Sequence, residues 1–285
     1  MKRKTVAIAG ASGMIGTYLS TYLQRHEIIR IFRQDLSLEN REFIKKYGRA
    51  DVLINMIGAP ISRRWTKQYK QEILASRINS TRKLGSIIKH DPTRNRLYVS
   101  ASAIGIYNDM EVHTEKSEKY GTGFITEVVQ AWENEVYKLG SEETKICILR
   151  TGVVLSDAGG MLARLIPVFR LGIGARIGTG NQYLSWIHIE DLARAVDFII
   201  EHDCNGIYNL TAPGYCTNRE FTALLAGRLK MPAVLAIPKF VFKIIYGQGA
   251  EVVTGGQAVV PQRLINEGFR FRYPEVEKAL EDIVN

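Results

Sequence analysis

The 285-residue chain reads as an α/β protein, a Rossmann-like doubly wound parallel sheet with a small C-terminal substrate lobe. Three observations predict it. The chain opens with a β-α-β unit, a Gly-x-x-Gly-x-x-Gly turn lies at its first strand–helix junction, and short apolar runs then alternate with helical patterns.

Taken in order, Thr5–Ala9 is a β-branched and apolar run closed by Gly10, as a buried parallel strand would be. Met14–Leu23 has its larger apolar residues at helical spacing, and Ile28–Phe32 returns as a second strand. Glu39–Tyr47 predicts a short helix, Val52–Ile57 a strand, Lys67–Ile88 a long helix and Leu97–Ser100 the next strand. Thr122–Leu139 follows as a helix, and Lys145–Leu149 as a strand leading into Arg150–Leu155. From Gly159 to Gly180 glycines become dense and the pattern irregular, so residues 159–186 are expected to contribute to the small lobe. His188–His202 reads as a helix, Gly206–Leu210 as a strand, and Asn218–Arg228 as a helix opened by Thr217 or Asn218. The closing helix is Glu275–Ile283.

Composition narrows the function classes. The longest apolar stretch, Ala233–Tyr246, is broken by Pro238, Lys239 and Lys243, short of the roughly 18 residues a transmembrane helix needs. Met1–Lys4 runs into the first strand without a signal-peptide core, so a soluble, cytoplasmic protein with no membrane partner is expected. Three scattered cysteines, five scattered histidines and no Cys-x-x-Cys or His-Glu-x-x-His argue against a metal site. Net charge is +9, but residues 1–100 hold 20 Lys and Arg against 7 Asp and Glu, while residues 101–285 hold 18 against 22. The basic half suits an anionic partner or a solvated helix surface; with no nucleic-acid motif, a polyphosphate cofactor is preferred over nucleic acid.

The glycine turn supplies the reason. Gly10 permits the sharp turn, Gly13 lets backbone N–H groups approach a pyrophosphate, and Gly16 lets helix and strand pack closely. The helix N-terminus adds partial positive charge where a diphosphate would sit. Beyond the second strand, an NAD site needs a carboxylate for the adenosine 2′-hydroxyl, whereas a 2′-phosphate needs a cation. Arg33 occupies that position, and the Ser12 hydroxyl can add a donor; Asp35, two residues on, is the competing acidic partner. NADP is therefore expected over NAD.

The turn Gly10–Gly16, the segment Asp51–Gly58 and the strand end Val99–Ser102 resemble the extended short-chain dehydrogenase/reductases, the NAD-dependent epimerase/dehydratase group. Arg63-Arg64-Trp65-Thr66, Ser76-Arg77-Ile78, Gly178–Asp191 and Pro261-Gln262-Arg263 ahead of Gly268-Phe269 narrow the resemblance to its nucleoside-diphosphate-sugar epimerase subfamily. It covers essentially the whole chain. It implies an NAD(P)-binding domain over 1–235 and a small C-terminal domain over 236–285. It also implies that Gly10, Ser12, Gly13, Met14, Ile15 and Gly16 hold the phosphates, Arg33 the 2′-phosphate and Gly58 the adenine ribose, with Ser100, Arg150 and Gly152 near the nicotinamide.

The chain departs from the family pattern at the catalytic dyad. Those enzymes use Tyr-x-x-x-Lys, in which the lysine lowers the tyrosine pKa and the tyrosine moves the proton. None of the thirteen tyrosines has a lysine four positions later, and alignment on Trp132-Glu133 puts Ile125 and Val129 in the dyad's place. Ser102, where the family bonds the substrate oxygen, and Tyr107 on the following loop are the catalytic candidates, with Glu115 able to close the site. Arg64 and Trp65, together with Arg63, suit an anionic substrate such as a nucleotide sugar, and Gln182, Ser185, Trp186 and His188 form a second polar and aromatic cluster, beside Tyr183. Packing, capping and solvated surface are the competing roles for each.

Two functions follow as expectations. One is an NADP(H)-binding epimerase-like oxidoreductase acting on a small molecule. The other, favoured by the missing dyad, is a non-catalytic NADPH-binding sensor or regulatory module. A homodimer remains compatible with the resemblance, although Thr122–Leu139, the helix that often forms the dimer bundle, shows no clear apolar stripe.

Overall fold

The computed structural model describes residues 3–284; Met1, Lys2 and Asn285, and with them part of the Met1–Lys4 lead-in, lie outside the described residues. Six strands, β1 (Thr5–Ala9), β2 (Glu27–Ile31), β3 (Val52–Asn55), β4 (Arg96–Ala103), β5 (Thr144–Thr151) and β6 (Gly206–Leu210), form a parallel sheet in the order β6-β5-β4-β3-β1-β2. The order reverses direction between β1 and β3, the place where a doubly wound sheet opens a crevice at its strand C-termini. Helices α1 (Met14–Tyr22), α2 (Asn40–Tyr47), α3 (Lys67–His90), α4 (Phe124–Tyr137), α5 (Gly160–Arg170), α6 (Ile189–Glu201), α7 (Asn218–Arg228) and α8 (Lys239–Tyr246) account for most of the rest.

The period-two alternation of the strands builds the two cores. Val6, Ile8, Val52, Ile54, Leu97 and Val99 face α1 and α6, where Leu19, Leu23, Leu192, Val196 and Ile199 are buried against them. Ala7, Ala9, Leu53 and Tyr98 face the other way, onto Phe43 and Tyr47 of α2, Leu84 and Ile87 of α3, and Trp132 and Val136 of α4. Burying each such large side chain contributes about 1.5–3 kcal/mol before entropy is counted. A third cluster joins α5 (Leu162, Ile166, Phe169) to Trp186, to Phe221 and Leu225 of α7, and to Ala279 and Leu280 of the closing helix Val276–Ile283. Outside the main sheet, Leu235–Ile237 pairs in parallel with Ala175–Ile177.

Three elements differ from the sequence reading. β4 runs on to Ala103 because β5 pairs with it residue by residue, down to Ser102↔Arg150 and Ala103↔Thr151; the Ser-Ala-Ser-Ala run has little strand propensity of its own. This places Ser102 on a strand. Trp186–His188 is a short strand paired with Val153–Leu155, and the helix begins at Ile189 with His188 as its N-cap. α4 does possess an apolar stripe, Val129, Trp132 and Val136, and buries it in the domain. Among the described residues no helix is long and apolar enough to cross a membrane.

The junction of β1 with α1 is close-packed. A Cβ at Gly16 would lie 2.2 Å from the Gly10 carbonyl oxygen, which is backbone and cannot yield. Gly16→Ala is therefore expected to cost about 1–3 kcal/mol as an overpacking change, read as a lower urea midpoint at unchanged slope. An unchanged midpoint would show that α1 can slide away from the strand.

Candidate functional site

The loop Gly10–Gly13 links the end of β1 to α1. Gly10 adopts φ +83°, where a Cβ would also approach the Met56 carbonyl group to 3.0 Å, so only glycine serves. Gly13 is the N-cap, and Thr17 N–H donates the first helical bond to its carbonyl at 2.8 Å. The N–H groups of Met14, Ile15 and Gly16 precede that bond and have no partner within the helix, which makes them donors for an anion.

This turn forms one wall of a cleft of about 830 Å³. Gly10, Ser12, Gly13, Arg33, Gly58, Arg63, Tyr69 and Glu72 all line it. The opposite wall is held by the segment Ser76-Arg77. Ser76 Oγ accepts from Ala59 N–H at 3.0 Å, and the Arg77 guanidinium donates to the Ala59 carbonyl oxygen while stacking on Trp132. Burial lowers the Arg77 pKa to about 10. The loop carrying Gly58 is thus pinned from below by a motif that the sequence showed only as part of a family likeness. Asn55, buried at the end of β3, accepts from Ile57 N–H and donates to Ser80, Thr81 and the Tyr98 hydroxyl, fixing how the chain leaves the strand.

The two candidates for reading the adenosine ribose separate cleanly. Arg33 is 89% exposed, and its nearest carboxylate, Glu72 across the cleft, is 3.7 Å away. Asp35 is buried, accepts from Phe32 N–H at 2.8 Å and is paired with Lys46 at 2.7 Å. Burial opposes its ionisation, but the Lys46 and Phe32 bonds outweigh that and hold its carboxyl below the usual range. Asp35 is committed to closing its own turn, which leaves the cleft edge to a cation.

The residues expected near the nicotinamide and the proton-transfer step are engaged elsewhere. Ser102 Oγ donates to Glu133 at 2.5 Å; Arg150 holds the same carboxylate through Nε and Nη2 at 2.9 and 2.7 Å. The Tyr107 hydroxyl accepts from Arg150 Nη1 at 2.9 Å and donates to Asn209 at 3.0 Å. All five side chains are buried. Burial disfavours the Arg150 cation, yet Glu133 outweighs it and raises its pKa; burial also raises that of Tyr107. The buried Tyr107 ring is stacked on His113. Ser100 is likewise buried, donating to the Ala101 carbonyl, and Gly152 is a packing glycine whose Cβ would meet the Ser185 carbonyl oxygen at 2.5 Å. Ile125 and Val129 pack against the Tyr107 loop. Glu115 bonds Asn209 N–H and Arg263 N–H, tying that loop to the C-terminal segment.

The expected substrate residues make contacts within the protein, while Gln182 Oε1, Trp186 Nε1 and His188 Nε2 are buried without a hydrogen bond among the described residues. Ser185 accepts from Val259 N–H and donates to Gln257; Trp186 is fully buried; Gln182 donates to the Ile177 carbonyl. His188 Nδ1 caps α6 by accepting from Glu190 N–H, and Nε2 faces Asp282 of the closing helix at 3.3 Å. Trp65 is buried against Phe124 and donates to Ile61, while Arg64 donates to the Ile244 carbonyl of α8. Only Arg63 of that trio faces the cleft. The residue missed by the sequence reading is Glu133, which lies one and two turns beyond Val129 and Ile125 on the same face of α4.

Comparison with known proteins accords with this geometry. Residues 6–211 match the NAD dependent epimerase/dehydratase family, and residues 237–283 match a domain of unknown function. An epimerase family protein of Mycobacterium leprae is 34% identical over 98% of this chain and 95% of its own. The crystal structure of a human epimerase family protein with NADPH superposes with a TM-score of 0.90, at 29% identity and 98% coverage of both chains. A nucleoside-diphosphate sugar epimerase from Corynebacterium glutamicum is 27% identical with a TM-score of 0.79, over 99% of this chain and 58% of that one.

Two outcomes test the structural assignments. Glu133→Ala strands a buried guanidinium and is expected to cost about 3–5 kcal/mol, most of it regained when Arg150 is also replaced by methionine. Burial lowers the His188 pKa, so on acidification the unfolded chain takes up the proton first and the fold loses stability. Wild type should therefore lose ground to His188→Gln in thermal midpoint as pH falls from about 7.5 to about 5; a constant difference would remove His188 from the titrating core.

Proposed function

Because the chain belongs to the NAD dependent epimerase/dehydratase family, we propose that it binds NADP(H) in the cleft above the glycine turn and exchanges a hydride with a small molecule. The observation that carries the cofactor choice is the division of labour after β2: Arg33 is exposed at the cleft edge while Asp35 is buried and bonded. The backbone donors of Met14, Ile15 and Gly16 suit a diphosphate, and the Arg33 guanidinium with the Ser12 hydroxyl suits a 2′-phosphate. The human relative's complex with NADPH supports the same choice. Bound cofactor would supply hydride chemistry at its nicotinamide.

What this chain's residues contribute is binding, orientation and charge. Arg63 adds a second cation to the cleft and suits an anionic substrate; the name of the Corynebacterium glutamicum relative supports a nucleotide sugar as one such molecule. Proton transfer by Tyr107 or Ser102 would require the Glu133–Arg150 cluster to open, and Ile125 and Val129 carry no proton. This last observation favours a second reading, an NADPH-responsive binding module without turnover.

Titration of cofactor-free protein with NADPH and NADH tests the proposal. NADPH should bind more tightly, and Arg33→Ala should weaken NADPH about tenfold to a hundredfold, the worth of a charged hydrogen bond, while leaving NADH nearly unchanged. Equal affinity for both cofactors would overturn the assignment of Arg33. With binding established, NADPH oxidation against a panel of carbonyl compounds separates the readings, since turnover supports the enzyme and its absence across the panel supports the module.

A further inference from the structure

The small lobe presents an apolar surface that the cofactor cleft does not use. α8 (Lys-Phe-Val-Phe-Lys-Ile-Ile-Tyr) has no buried residue; Phe240 is 61% exposed, Ile244 67% and Ile245 54%. The preceding strand Leu235–Ile237 is paired with Ala175–Ile177, and Gly172 lies beside Pro232, which brings the turn after α5 alongside. That turn exposes Leu171 and Ile173, and the strand's approach exposes Val234 and Leu235. Large apolar side chains on adjoining segments are costly to leave in water.

The segments that form this surface carry basic residues and no acidic ones, Glu251 being the first acid after α8. Residues 158–189 and 221–250 contain no Asp or Glu, yet the first holds three arginines and the second Arg228, Lys230, Lys239 and Lys243. Arg228 pairs with Glu281 of the closing helix. Arg170, Lys230, Lys239 and Lys243 are exposed and make no ion pair among the described residues, and Arg64 adds its guanidinium at the C-terminal end of α8. An apolar patch for a second copy of the chain would place these cations against one another. A surface of anionic headgroups over acyl chains satisfies both features: apolar side chains enter the boundary while lysines and arginines meet the headgroups.

We propose that the face formed by α8, the strand Leu235–Ile237 and the turn Leu171–Ile173 docks on an anionic lipid surface. Among the described residues no helix is long and apolar enough to cross a membrane, and a peripheral helix of this kind needs no spanning segment.

Sedimentation of the full-length protein with vesicles tests it, comparing pure phosphatidylcholine with phosphatidylcholine and phosphatidylglycerol in equal parts. Binding should require phosphatidylglycerol and fall with added salt. Lys239→Gln combined with Lys243→Gln should weaken partition about thirtyfold, from two lysines removed near a charged surface. Phe240→Ser with Ile244→Ser should abolish binding. These side chains are exposed, so thermal midpoint and NADPH affinity should match wild type and show that the variants fold. No binding to the mixed vesicles, or binding that ignores these substitutions, overturns the proposal. So does a concentration-dependent dimer abolished by the Phe240 and Ile244 changes without vesicle binding, which would give the face to a second copy.

Discussion

The close approach of α1 to the Gly10 carbonyl is the contact on which the site depends. With Gly16 lacking a Cβ, the helix packs directly against the end of β1, and Gly10, Ser12 and Gly13 of the turn between them line the cleft. The same geometry sets the register of the cleft. β2 ends beside that cleft, so the first residue able to turn back over it, Arg33, faces the cavity. Asp35, two residues further along a tight turn, points inward and closes its own backbone. The proposed cofactor preference rests on which of two nearby polar side chains the turn leaves exposed at the cleft.

The second organising interaction is buried. Glu133 on α4, Arg150 on β5 and Ser102 on β4 meet because β4 and β5 place Ser102 and Arg150 side by side and α4 lies across them. Pairs of this kind rarely add much stability over apolar packing, but removing one partner is expensive, so they fix a unique arrangement. Here they fix the floor beneath the missing dyad. The Tyr107 loop is bolted to β6 through Asn209 and, by way of Glu115, to the C-terminal segment, so the sheet and its last fifty residues share one polar framework.

Much of the fold was legible because its signals are local. The alternation of apolar runs gave the β-α order, and the spacing of three glycines located the cleft together with Arg33 at its edge. What escaped the sequence depends on partners far along the chain. Ser185, His188 and Gln182 are polar and clustered in the sequence, but the groups they meet, Val259 N–H, Asp282 and the Ile177 carbonyl, lie elsewhere in the chain, and tertiary contacts of this kind carry no local mark. Tyr107, for which the sequence leaves a role in the site and packing under its loop both open, is carried back into the core by the turn that follows β4. Glu133 could have been found from spacing alone, since it continues the face of Ile125 and Val129.

The central claim is that this cleft recognises the 2′-phosphate of NADP(H). Displacement of bound NADPH by adenosine 2′,5′-bisphosphate and by adenosine 5′-monophosphate, which differ only in the 2′-phosphate, followed by cofactor fluorescence, tests it. The compound with the 2′-phosphate should compete at clearly lower concentration. Equal competition by the two would contradict it.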